Sequence, residues 1–125
     1  MKLTPVSQTT LIEATPAQTP TRFESASSLV ASRRPSLPVH LTRPHAIIKA
    51  AQWFVEHFPG HVVYSVKSNP DPLALQCLAA GGVERFDVAS LPEVKLASSM
   101  FPGAKLYFMH PVKSREAIRI AYFEY

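Results

Sequence analysis

Cysteine occurs once in these 125 residues, at Cys77, so no internal disulfide can form and a reducing, cytoplasmic setting is expected. Cys77 falls on the apolar side of an expected helix, which makes it a packed thiol rather than a reactive one. No run of about 18 apolar residues occurs, and no apolar stretch follows Lys2, so neither a membrane span nor a secretory leader is expected. Metal-ligand spacing is also missing. His40, His45, His57, His61 and His110 form no paired pattern with Cys77, and no metal site is expected. Clustered charge is scarce: the formal charge is +4, yet only Arg33 and Arg34 are adjacent among the 13 Lys and Arg. That scatter describes a mildly basic surface rather than a nucleic-acid footprint.

The hydrophobic share, 46%, is ordinary for one globular domain. Residues 1–36 are rich in Ser, Thr, Pro, Gln and Ala without a sustained apolar period and read as a flexible N-terminal extension. Residues 37–41 read as a short strand, which Pro38 restricts to an edge or a strand start. Thr42 and Pro44 suit the start of a helix. Ile47, Ile48, Ala51, Phe54, Val55 and Phe58 then recur at helical spacing up to the Pro59-Gly60 stop.

Beyond Gly60 a strand–helix pattern repeats. Strands are expected at 61–67, 85–89 and 105–109, and helices at 71–80, at 90–101 and from Ser114 onward. Asp71 can cap the first of these helices, with Pro72 in its first turn and Gly81-Gly82 as its stop. Pro102-Gly103 closes the second, and Ala117, Ile118, Ala121 and Tyr125 form the expected buried stripe of the third. Consecutive units of this kind imply parallel strands joined by right-handed crossovers. The fold class is therefore α/β. A spacing of about 20 residues per unit suits a (β/α)8 barrel, which typically takes about 250 residues. The expectation is the N-terminal portion of such a barrel, about three units over residues 37–125, although a small open α/β domain or pairing with other polypeptides would also accommodate the pattern.

The chemistry-bearing positions cluster where the strands end. Alternation puts Val63, Ser65 and Lys67 on one strand face and Val62, Tyr64 and Val66 on the other. A lysine at the carboxyl end of a buried parallel strand loses water around its ammonium group, which frees the amine to attack an aldehyde. It can then hold pyridoxal phosphate as a Schiff base; the competing reading is a solvated strand-end lysine. Asp87, in the next strand, lies at the same end of the sheet and either tunes Lys67 or bonds loop amides. Ser90-Leu91-Pro92-Glu93 matches a capping box, which gives Glu93 a structural task alongside any catalytic one. His110 follows the third strand and could touch a ligand or face solvent, while Lys113 and Ser114 approach a helix start where an anion could bind.

Tyr64-Ser65-Val66-Lys67-Ser68-Asn69, then Phe86-Asp87-Val88-Ala89-Ser90 with Glu93, then His110-Pro111-Val112-Lys113, in this order, resemble the ornithine/diaminopimelate/arginine decarboxylase group with its alanine racemase-like barrel. The likeness covers roughly residues 37–125 and is nearest to ornithine or lysine decarboxylases. It implies pyridoxal 5'-phosphate as cofactor, bound to Lys67, with Asp87, Glu93 and His110 near the cofactor or substrate. In many relatives an asparagine stands where this chain has His110. The resemblance further implies a small basic amino acid substrate, ornithine converted to putrescine in polyamine biosynthesis, and homodimeric full-length relatives. The strand near Val39 would belong to a separate β-domain. The family's ring-stacking histidine, phosphate loop, acidic partner of the pyridine nitrogen and cross-subunit groups match no residue up to Tyr125, so the chain alone is expected to be inactive. A truncated homologue that binds decarboxylase subunits and a racemase-type cofactor binder are the other readings.

Overall fold

The computed structural model describes residues 21–125. The chain divides into two compact units between His40 and Leu41. Of the extension expected to be flexible, residues 1–20 lie outside the described residues, and the remainder contains a helix, α1 (Ala26–Arg33). Its start is a reciprocal cap: Ser25 Oγ accepts from the Ser28 amide at 3.0 Å while the Ser25 amide donates to Ser28 Oγ at 3.1 Å. Two orphan amides are thereby satisfied with serine in the place usually taken by Glu or Gln. The strand expected at 37–41 does not form. These residues are exposed coil without a sheet partner, and Pro38 has no N–H to offer one.

The second unit begins with α2 (Pro44–His57), started by proline at its first turn. It continues through β1 (Tyr64–Ser65), a 3₁₀ turn (Val66–Ser68), α3 (Pro72–Ala80), β2 (Arg85–Asp87), α4 (Leu91–Met100), β3 (Lys105–Tyr107) and α5 (Arg115–Phe123). The strands form one parallel sheet in the order β1-β2-β3. This is an α/β arrangement compatible with part of a barrel. Each strand is shorter than the sequence predicts, and β1 breaks into the 3₁₀ turn after Ser65, which stops its regular ladder there.

Alternation along the strands sorts the side chains. Phe86 is fully buried between half-buried Arg85 and Asp87, and Val66 and Val88 are buried with it. Leu75 from α3, Val94 and Ala97 from α4, Ala51 from α2 and Val83 before β2 complete that core. Phe86 also stacks on Phe101, with centroids 5.1 Å apart. The opposite face of the sheet is more open, and Lys105 and Tyr107 are exposed on it.

Two apolar stripes differ from expectation. On α2 only Ala51 is buried, whereas Trp53, Phe54, Val55 and Phe58 are exposed. Its contact with α3 runs along the narrow ridge at Ala51, which leaves the bulky residues outside. On α5 the half-buried residues are Ala117, Ile120 and Ala121, while Ile118 and Tyr125 are exposed. Small Ala121 reaches the core cluster, and the larger residues point away from it. The α3 stop is as expected, a Schellman turn in which the Val83 amide donates to the Leu78 carbonyl and the Gly82 amide to that of Ala79. Gly82 supplies the positive φ, +95°, that this turn needs.

Candidate functional site

Parallel strands bring all their carboxyl ends to one edge, so the segments after β1, β2 and β3 meet there. Those segments carry Lys67, the Ala89-Ser90 start of α4, and His110. The structure corrects one expectation: Lys67 is not the last residue of a buried strand. It sits in the 3₁₀ turn and is exposed, so the described residues do not themselves strip water from its ammonium group.

What the fold does fix is the turn that presents this lysine. Val66, immediately before it, is fully buried and acts as an anchor. Beyond it, Asn69 Oδ1 accepts from the Asp71 amide at 3.1 Å, and Tyr64 Oη donates to the Asn69 carbonyl at 3.4 Å. Asp71 Oδ1 in turn accepts from the Leu73 and Ala74 amides at 2.9 and 3.1 Å, capping α3. Partial burial pushes the Tyr64 phenol above its ordinary ionisation range, which keeps the donor protonated.

Across the open sheet face, register aligns Ser65 with Asp87 and Asp87 with Tyr107. The Ser65 hydroxyl donates to Asp87 Oδ2 at 3.2 Å. Asp87 thus lies at the same end of the sheet as the Lys67 turn, but the close ion pairs among the described residues include neither of the two. The sequence places Ser65 on this face by alternation but does not single out Tyr107. The signal available was that both strands end within two residues of a polar side chain on the same face.

Glu93 has its structural task. Its Oε2 accepts from the Ala89 amide at 2.8 Å, one residue earlier than in the usual reciprocal cap, and its own amide donates to Ser90 Oγ at 3.4 Å. It therefore braces the β2–α4 loop at the rim. His110 is exposed, and its Nδ1 lies 2.8 Å from the Val112 carbonyl and 3.2 Å from the Val112 amide. One or the other bond forms according to the tautomer, and either spends that nitrogen inside its own turn. Lys113 Nζ donates to the Phe108 carbonyl, and Ser114 Oγ accepts from the Ala117 amide to cap α5. Both groups suggested for an anion at this helix start are thus occupied locally.

Two open grooves of about 250 and 400 Å³ lie at the amino-terminal edge of the sheet, beside Arg85 and beside Lys105, away from Lys67. Cys77 is buried, as its helical position predicts. Among the described residues no His, Cys, Asp and Glu group could hold a metal ion, and no helix is long and apolar enough to cross a membrane.

Residues 45–124 match the family model described as pyridoxal-dependent decarboxylase, pyridoxal binding domain. No curated protein and no solved structure matches the chain.

Proposed function

The chain belongs to the pyridoxal-dependent decarboxylases through their pyridoxal binding domain, and from that premise we propose that Lys67 is the residue that holds the cofactor. The cofactor of this family is pyridoxal 5'-phosphate, whose ring accepts the electron pair left when carbon dioxide departs from an amino acid. The carrying observation is an exposed primary amine on a tightly braced turn, beside a sheet face that offers a hydroxyl and a carboxylate. This donor set fits an aromatic aldehyde: the amine is the nucleophile, and small Ser65 leaves room for a flat ring.

In this reading Lys67 Nζ gives and takes protons at the rim. Asp87 holds its carboxylate toward the same face and orients the amine or a bound ligand. Glu93 keeps the Ala89–Ser90 backbone in place. His110 contributes through the ring atoms not engaged with Val112. The substrate is a basic amino acid, ornithine giving putrescine for polyamine biosynthesis. The support for ornithine is the likeness of the Tyr64–Asn69 and Phe86–Glu93 segments to ornithine and lysine decarboxylases.

The test is reduction with borohydride in the presence of pyridoxal 5'-phosphate, followed by peptide mapping. Label on Lys67 supports the reading, and label spread over surface lysines overturns it. Little carbon dioxide is expected from ornithine with these 125 residues alone, because the described fold leaves Lys67 open to water. A second reading, a non-catalytic homologue that docks on decarboxylase subunits, is favoured by the open sheet face. It predicts co-purification with a full-length relative and a mass above monomer in light scattering.

A further inference from the structure

We propose that Ser65 is a positioning residue for the Lys67 site and acts through Asp87; the inference rests on Lys67 being the cofactor lysine. Among the described residues, the other side-chain-to-side-chain hydrogen bonds join Arg119 to Glu116 within one exposed helix. The Ser65–Asp87 bond is different in kind. It crosses from one strand to the next between two part-buried residues, on the open face rather than in the core.

The chemistry of the pair gives it a purpose. A terminal carboxylate torsion is broad, so an Asp on an open face would otherwise rotate. Serine has one proton to donate, and giving it to Oδ2 fixes the plane of the carboxylate while leaving Oδ1 able to accept from a ligand or from an ammonium group. Ser65 is also the residue from which the chain turns into the 3₁₀ segment that bears Lys67. One hydroxyl therefore ties the orientation of the acid to the position of the amine. Alanine would fit the strand equally well but would leave the two independent.

A double-mutant cycle on the full chain tests this, read as the initial rate of borohydride-fixed labelling of Lys67 by pyridoxal 5'-phosphate and, separately, as the urea unfolding midpoint. Ser65→Ala is expected to slow labelling about tenfold, the scale of a lost hydrogen bond to a charged group. Ser65→Thr should restore the rate, and the urea midpoint of Ser65→Ala should fall only by the small amount that one part-buried hydrogen bond accounts for, so that the chain stays folded under the labelling conditions. In an Asp87→Asn background the Ser65→Ala change should have little further effect. Equal labelling of wild type and Ser65→Ala, or a Ser65→Ala loss of the same size with and without Asp87, would overturn the proposal while leaving Lys67 as the cofactor lysine. Absence of label from Lys67 in the wild-type chain would instead remove the underlying reading, before any variant is compared.

Discussion

Gly81 lies against Ala51 so closely that a Cβ on the glycine would stand 2.4 Å from the Ala51 Cβ, with the Ile48 carbonyl oxygen at 2.9 Å. This is where the end of α3 meets α2, and the missing side chain is what lets the helices approach. The backbone at Gly81 is unstrained, with φ −84°, so any cost of substitution is steric. Gly81→Ala is expected to destabilise the fold by about 1–3 kcal/mol, as overpacking does. Urea unfolding should show a lower midpoint at an unchanged slope.

Phe86 is fully buried and stacked on Phe101 at the centre of the sheet. Phe86→Ala should cost about 3–5 kcal/mol. Domain stabilities are about 5–15 kcal/mol, so this one change removes a large part of the total and the far-UV circular dichroism of the variant should melt far below wild type.

Tyr64 gives a test at high pH. Burial raises its ionisation above the ordinary value, so the folded chain holds this proton more tightly than the unfolded chain does. The associated stability is complete below about pH 10 and is lost as the pH rises through the folded value. Wild type should therefore lose more stability between neutral and strongly alkaline pH than Tyr64→Phe, measured as the difference in urea midpoints.

Glu93 separates bracing from chemistry. Glu93→Ala frees the Ala89 amide and should cost about 1 kcal/mol, the usual price of a lost cap. Glu93→Gln keeps an acceptor and should recover most of that stability. A Gln variant that is stable but slow to label at Lys67 would assign the carboxylate a part beyond the cap.

The Arg119 guanidinium, hydrogen-bonded to Glu116, holds that carboxyl below its ordinary range. Its contribution is present above the usual carboxylate range and fades as the pH falls through the lowered value. Both groups are exposed, so Arg119→Ala should raise the Glu116 midpoint in an NMR titration without a measurable change in melting temperature.

The helices from α2 onward and the parallel order were legible because their signals are local: Pro44, Asp71, Ser90 and Ser114 at the starts, Gly81-Gly82 at a stop, and alternating apolar residues between. The segment at 37–41 misled because a short apolar alternation says nothing about whether a neighbouring strand exists to pair with it. α1 carries no sustained apolar period to mark it, and its reciprocal cap uses Ser28 in place of a Glu or Gln. For the stripes on α2 and α5, periodicity marks a face but not how wide a partner covers it. At the site, the edge that gathers Lys67, Asp87 and His110 follows from parallel topology alone. The Ser65–Asp87 bond did not, since it depends on a register that the strand lengths leave open by a residue either way.

That register makes the site all-or-none. Because Ser65, Asp87 and Tyr107 stand side by side only in the observed pairing, with Tyr64, Phe86 and Leu106 directed to the opposite side, a slip of one residue in β2 would drive an aspartate among hydrocarbon and turn a phenylalanine outward. The hydrophobic centre is thus a proofreader for the chemistry: an assembly that misaligns the acid with its serine also forfeits its core.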